Sequence, residues 1–297
     1  MTVSADMLAA FAWVAELASV SRAADELGVG KSVVSKRVAQ LEAELGATLF
    51  SRSTRRVALT PAGEGYLEYA RRALQEMAAG DEHLRALRSE LTGLIRLTAT
   101  VSWGQRVLAK QLPEFARLHP GIELELHLDD RVADLAFGRL DLALRWSATP
   151  CPDLVATPVA RIDWALAAAP AYLATARAPQ APAELAGHAC LCYWREAADE
   201  LWTLESATET AQVRVRGRYH VDNPEAVADA AVAGLGIAML PDYLCREALA
   251  EGRLVRVLPE WSPQTRYGTQ ITAVATPERM RLSRNRALLE FLRQRFE

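Results

Sequence analysis

The chain has 297 residues, 51% of them hydrophobic, and its 34 Lys/Arg against 37 Asp/Glu give a formal net charge of −3. That length predicts two or three domains with sizeable cores, and no run approaches the roughly 18 apolar residues of a membrane span. The total charge excludes a generally basic protein, so any affinity for a polyanion must be placed locally.

Residues 1–14, MTVSADMLAAFAWV, lack the basic start of a signal peptide and merge into an amphipathic pattern at Leu8, Phe11, Ala15 and Ala18. They predict a first helix and a cytoplasmic protein. A short helix follows, with Ser21 as its expected N-cap and Ala23, Ala24 and Leu27 on one face. Small alanines there let a second helix approach closely. Gly28 supplies the left-handed turn.

The next helix is expected from Lys31 to Leu45, with Val34, Val38, Leu41 and Leu45 as its buried stripe. Its other face carries Lys31, Ser32, Val33, Ser35, Lys36 and Arg37. Cations and hydroxyls on an exposed helix suit a DNA major groove, where they meet phosphates and base edges. Val57 and Leu59 alternate as a strand, and Arg52, Arg55 and Arg56 stand where a wing grazes the backbone. Between residues 28 and 56 six Lys/Arg face two Glu, a local balance of +4. The layout is that of a winged helix-turn-helix over residues 1–63, with Ser21 also counted among its DNA-facing residues.

From Glu64 to Leu91 there is no proline, which predicts one long helix. Tyr66, Ala70, Ala73, Met77, Gly80, Leu84, Leu87 and Leu91 repeat in the a/d spacing of a coiled coil. Residues 64–92 are therefore expected to link and to dimerise the protein, with Gly80 a weak point in the seam. Paired chains would present two recognition helices to two half-sites.

A different rhythm starts at Gly93. A strand (94–100), a helix (Val107–Leu118), a strand (122–128), a short helix (Val132–Phe137) and a strand (140–145) predict a parallel sheet. A second copy comprises strands at 163–168 and 213–221, a helix capped by Asn223 before Pro224, and a buried strand at 237–241. Tyr267–Ala275 then returns to the first lobe, before a final helix, Met280–Phe296. The expected fold class is thus α/β: an N-terminal all-α winged helix-turn-helix with a long linker helix, then a two-lobed domain at 93–297. Lobe I takes 93–162 and 268–297, and lobe II takes 163–267.

A cleft between two such lobes is the natural ligand site. Strand ends and helix starts feed it, and free N–H groups at a helix start favour an anion. Thr100, Ser102, Trp103, Asp130, Arg131, Arg145, Asp222 and Asn223 are the candidate effector contacts. Ser102 offers a hydroxyl, Trp103 an apolar wall, and arginine a bidentate partner for a carboxylate.

Cys151, Cys190, Cys192 and Cys245 are the four cysteines. Cys190 and Cys192 with His188 invite a redox or zinc reading, but the C-x-C spacing disfavours both a mutual disulfide and a zinc site. They read as structural, with redox sensing as the alternative; no metal and no cofactor are expected. Nor does the chain carry a nucleophile elbow, a phosphate loop or an H-E-x-x-H helix, so no enzyme is expected.

Taken together, Ala23-Ala24-Asp25-Glu26-Leu27, Val34-Ser35-Lys36, Leu41 through Gly46, Leu49-Phe50, Arg52, Arg55, Leu59-Thr60 and Ala62-Gly63 resemble the LysR-type transcriptional regulators. Phe115 through Leu124 and Gly138 through Arg145 resemble the family's effector domain, itself similar to periplasmic binding proteins. One departure is Gly30-Lys31-Ser32, where relatives often carry Ser-Gln-Pro or Ser-Gln-Ser, so the operator sequence does not carry over. The resemblance implies a regulator that binds double-stranded promoter DNA under control of a small-molecule effector, which the helix start at the cleft predicts to be anionic. It also implies pairing of two dimers, RNA polymerase as a partner where transcription is activated, no membrane, and residence at the nucleoid. A ligand-independent DNA-binding protein is the other alternative, though it would not need two βαβ lobes.

Overall fold

Ser4 and Ser19, two small hydroxyls in extended backbone, begin the first two helices. Each accepts a hydrogen bond from the backbone N–H three residues on, at Met7 and Arg22. They open α1 (Ala5–Leu17) and α2 (Val20–Leu27). Ser21 is therefore not the cap: it lies inside α2 and is exposed, because a cap must precede the helix with non-helical backbone. Ala18, expected on the α1 stripe, instead ends that helix with φ +46°. Residues 3–51, 57–87, 91–131, 140–146, 153–193 and 197–296 are described in this computed structural model. The expected wing arginines Arg52, Arg55 and Arg56, the expected helix Val132–Phe137 and Cys151 lie outside them.

The chain divides into two compact units, one centred on residues 1–91 and one on most of the remainder. In the first, Gly28 takes φ +62° and returns its N–H to the carbonyls of Ala24 and Asp25, which turns the chain into α3 (Lys31–Leu45). Ala10, Ala23 and Val34 are wholly buried where α1, α2 and α3 meet, and Phe11, Leu41 and Leu49 fill a second cluster. Phe50 pairs antiparallel with Leu59, so both arms of the hairpin that would carry a wing are in place.

α4 (Pro61–Leu87) follows. Its early turns bury Leu67 and Ala70 against Phe11 and Leu41, with Tyr66 and Leu74 packed beside them. The expected a/d seam is thus corrected at Tyr66 and Ala70, which belong to the core of their own domain. Ala73, Met77 and Gly80 remain outward, together with Tyr69. The side chains of Leu84 and Leu87 lie outside the described ones, and Leu91 lies beyond the helix.

In the second unit β1 (Gly93–Ala99) leads into α5 (Val101–Trp103), a π-helical turn (Gly104–Leu108) and α6 (Ala109–Leu118). The helical run therefore starts six residues before the expected Val107. β2 (Ile122–Leu128) and β3 (Leu142–Trp146) flank β1 in parallel. β4 (Val155–Arg161) completes the first half of the chain's contribution to this sheet.

The chain then crosses over through β5 (Trp164–Ala168), α7 (Pro170–Ala176), β6 (Cys190–Tyr193), β7 (Leu201–Glu205), β8 (Thr210–Arg214) and β9 (His220–Val221). α8 (Pro224–Val232), β10 (Ile237–Pro241), α9 (Asp242–Ala250), β11 (Val255–Val257) and β12 (Ser262–Gln264) complete the second lobe. β13 (Gln270–Ala275) returns to the first, followed by α10 (Pro277–Arg281) and α11 (Ser283–Phe296).

The first sheet has the order β2-β1-β3-β13-β4, and the second β11-β5-β10-β6-β9, with a meander β12-β7-β8 beside it. The strand expected over 213–221 is split. β8 belongs to the meander, β9 joins the lobe sheet, and Gly217 between them sits on Cys190, whose carbonyl oxygen a Cβ would meet at 1.9 Å. Glycine is what lets the chain change sheets there.

Candidate functional site: a helix face and an interlobe cleft

On α3 the pattern of burial separates two roles. Val34 and Leu41 are fully buried, while Lys31, Ser32, Val33, Ser35 and Lys36 are exposed. Two cations, two hydroxyls and one branched apolar side chain thus stand on one outward surface. Arg37 departs from the expectation. It is half-buried and forms an ion pair with Asp6 at the start of α1, which makes it a brace between helices.

The cleft of the second unit is built at strand ends. β1 delivers Thr100 and Ser102, β2 leads to Asp130, and β3 ends in Arg145 and Trp146. From the other lobe come Trp164 at the start of β5, Tyr193 at the end of β6, Pro224, Pro241, Tyr243 on α9, and Tyr267. They enclose a cavity of about 270 Å³.

Four of the eight expected effector residues are brought together here: Thr100, Ser102, Asp130 and Arg145. Four are not. Trp103 is wholly buried, with its ring 5.6 Å from that of Phe296, because the helical run turns it into the core. Arg131 points to solvent in an ion pair with Asp129, whose carboxyl it holds down at about 2. Asn223 spends its side-chain oxygen on the N–H of Glu225, 2.8 Å away, as the cap of α8. Asp222 is exposed beside it and does not line the cavity.

Polar groups in the cleft are unevenly satisfied. The N–H that opens the helical run, at Val101, donates to Asp130 Oδ1 at 3.0 Å, so the expected anion at this helix start is a side chain of the protein. Ser102 Oγ accepts from the Tyr243 hydroxyl and donates to Glu225 Oε1, both at 3.2 Å, and so ties the two lobes. Burial pushes the Tyr243 phenol well above its ordinary range.

Arg145 donates to Thr98 Oγ1 at 2.9 Å and to the Leu144 carbonyl at 3.3 Å. Its Nε is buried with no hydrogen-bond partner among the described residues, and so is Thr100 Oγ1. Burial lowers the Arg145 pKa, and the charges of Asp130 and Asp129 oppose that only in part.

Sequence reasoning missed the five aromatic residues, and also Glu225 and Arg106, which form an ion pair between the two lobes. Trp146, Trp164 and Tyr193 occupy strand termini, a position that was available as a signal. Tyr243 and Tyr267 sit where only the fold brings them.

The thiols are of another kind. Cys190, Cys192 and Cys245 are buried and free. Burial pushes Cys190 up to about 12 and Cys192 to about 11. No cluster of three metal-ligating side chains occurs among the described residues, and no described helix is long and apolar enough to cross a membrane.

Comparison with known proteins gives two matched families. Residues 5–64 match "Bacterial regulatory helix-turn-helix protein, lysR family", and residues 88–297 match "LysR substrate binding domain". The regulator PtxR of Pseudomonas aeruginosa is 35% identical over 288 residues, covering 97% of this chain and 91% of the relative. The regulator DmlR of Escherichia coli is 32% identical over 291 residues, 97% and 93% of the two chains. Among solved structures, CrgA of Neisseria meningitidis has a TM-score of 0.63 at 30% identity, covering 100% of this chain and 99% of that one.

Proposed function

The chain belongs to the LysR family of DNA-binding transcription regulators with an effector-binding domain, and we infer that it is a sequence-specific regulator switched by a small anion in the interlobe cleft. The observation that carries this reading is Arg145. A cation half-withdrawn from water, with an unpartnered Nε and no ion pair among the described residues, stands in a cavity of small-molecule size. A partly desolvated charge that nearby carboxylates offset only in part is costly, and an anionic ligand relieves that cost.

On the DNA side, Lys31, Ser32, Val33, Ser35 and Lys36 form the groove-facing surface, and the wing arginines Arg52, Arg55 and Arg56 reach the adjoining phosphates. Lys31 and Lys36 supply sequence-independent affinity, while Ser32, Ser35 and Val33 meet base edges. α4 carries the dimer, through the outward stripe of Tyr69, Ala73, Met77 and Gly80, and two dimers pair as a tetramer. Effector occupancy shifts the balance between lobe arrangements and so the DNA affinity of the oligomer. The protein works at the nucleoid, with RNA polymerase as a further partner where it activates.

Redox sensing through Cys190 and Cys192 is the weaker reading. A sensor thiol needs a low pKa and access, and both of these are buried and pushed upward.

The test is anisotropy of a labelled promoter fragment taken from beside the gene, with and without small carboxylates. Specific binding that a carboxylate shifts in wild type, and leaves unshifted in Arg145→Gln, supports the reading. Specific binding that the carboxylate shifts equally in both proteins removes the cleft from it.

A further inference from the structure

We propose that the effector is a planar aromatic monocarboxylate, its carboxylate held by Arg145 and Thr100 and its ring laid along Trp146, Trp164 and Tyr243. The proposal rests on the reading of the cleft as an anionic effector site and names the ligand class.

The cleft wall is a file of five rings in mutual contact. Tyr243 and Trp146 stack with centroids 6.5 Å apart and planes 29° apart. Trp146 meets Trp164 at 5.4 Å, Trp164 stacks on Tyr267 at 6.4 Å and 27°, and Tyr267 meets Tyr193 at 5.3 Å. None of the five is fully buried, whereas Trp103 of the same domain, packed against Phe296, is 0% exposed. A ring that serves only as core is covered as Trp103 is. A continuous band that keeps part of each ring open towards a cavity offers a planar guest stacking on one side and edge contacts on the other.

The wall is contiguous rather than box-like. A compact cation is best held by separate ring faces converging on one point, which rings in direct contact with their neighbours, at 5.3 to 6.5 Å between centroids, do not provide. The polar end supports the same choice. Arg145 Nε and Thr100 Oγ1 are the unpartnered donors at the strand ends of lobe I, beside Trp146.

Charge sets the count at one carboxylate. Among the described residues Arg145 is the cation lining the cavity, and Asp130 is the carboxylate that lines it beside Arg145. A second negative group on the ligand would meet Asp130 with no second cation in the lining to hold it, since Glu225 and Asp129 are already paired with Arg106 and Arg131. The volume of about 270 Å³ accommodates one or two fused rings with a short acidic arm.

The experiment uses the full-length protein and follows Trp fluorescence and binding heat. Benzoate, salicylate and indole-3-carboxylate are titrated against cyclohexanecarboxylate, benzyl alcohol and phthalate. At least one aromatic monoacid should bind at least roughly tenfold more tightly than every one of the three controls. Arg145→Gln should abolish the preference over benzyl alcohol. Trp146→Ala should abolish the preference over cyclohexanecarboxylate, and Trp146→Phe should restore most of it. Circular dichroism of each variant confirms that it is folded.

Three results overturn the proposal. If cyclohexanecarboxylate or another aliphatic acid binds as well as the aromatic acids and Arg145→Gln still removes it, the ring assignment is wrong while the anionic cleft stands. If an aromatic acid binds unaffected by Arg145→Gln and Trp146→Ala, both the class and the cleft are wrong. If no aromatic monoacid binds, the class is wrong, and a thermal shift by any other anion that depends on Arg145 keeps the cleft reading alone.

Discussion

Arg106 of the first lobe and Glu225 of the second face one another across the cleft, with Arg106 Nε 2.8 Å from Glu225 Oε2 and 3.0 Å from Oε1. Arg106 Nη2 bonds to the same carboxylate, and Ser102 Oγ adds a third donor to it from the first lobe. Glu225 stands in the first turn of α8, held there by the Asn223 cap. The cleft thus has a clasp between its lobes, joined to the ring wall through Ser102, which also accepts from the Tyr243 hydroxyl.

That clasp should bias the lobes towards each other only slightly. The Arg106 side chain is 53% exposed, so solvent screens the pair to about 1 kcal/mol or less, or roughly fivefold in the ratio of lobe arrangements. Glu225→Gln keeps the shape and removes the charge. Fluorescence energy transfer between labels on the two lobes should show wild type loosening as salt is added, and Glu225→Gln should be loose and insensitive to salt. The same salt response in both proteins would mean the clasp has no energetic role.

Arg37 and Lys36 are neighbours in sequence but should fail differently. Lys31→Ala and Lys36→Ala should each flatten the dependence of log affinity on log salt by about 0.9 for every phosphate left without its cation. Arg37→Ala should leave that slope nearly unchanged and lower the melting temperature of the N-terminal domain, since its guanidinium is already engaged by Asp6. Anisotropy at several salt concentrations, alongside melting curves, separates the two. Equal slope losses from Arg37 and Lys36 would put Arg37 on the DNA.

Alkali should destabilise the second lobe through its thiols. In the unfolded chain Cys190 and Cys192 ionise near their ordinary value of 9.0, but in the fold burial holds their protons up to about 12 and 11. Above pH 9 the unfolded state binds fewer protons than the native one, so stability is complete below that pH and falls as pH rises towards 11 and 12. Each thiol contributes a slope of about −1.4 kcal/mol per pH unit inside the window. Denaturant midpoints taken between neutral pH and pH 11 should decline, and Cys190→Ala with Cys192→Ala should decline less.

Met77 gives a test of self-association. It is 56% exposed on α4 and stands two turns from Tyr69, itself 64% exposed, with Ala73 between them. Met77→Glu places a charge in that stripe without touching the buried face at Leu67 and Ala70. Sedimentation should show the variant dissociating at concentrations where wild type is paired, with unchanged helix content. An unaltered sedimentation coefficient would move the interface off this stripe.

The sequence was most legible where a local rule fixes the outcome. Helical periodicity placed α3 at its observed bounds, Lys31–Leu45, and the Asn-Pro pair placed α8 at Pro224. It was least legible where two local rules compete. Ser19 and Ser21 are both acceptable caps by residue type, and backbone conformation chose the earlier one. Alternation over 213–221 read as one strand, yet it serves two sheets, because Gly217 meets Cys190 from a distant part of the chain.

By itself, then, the sequence determined the class of molecule: a cationic, hydroxyl-bearing helix over an apolar stripe, followed by two alternating α/β lobes. Those features depend on neighbours three or four positions apart in a helix, or two apart in a strand. Only the tertiary structure decided what the cleft offers a ligand. Trp146, Trp164, Tyr193, Tyr243 and Tyr267 are separated by as many as 121 positions, from 146 to 267, and become one wall through two crossovers between the lobes. Arg37, Trp103 and Asn223 carry the right chemistry for a site, but their side chains are committed to an ion pair, to packing and to capping respectively. Which partner a polar group meets is set by the packing of distant segments, and no local spacing encodes it.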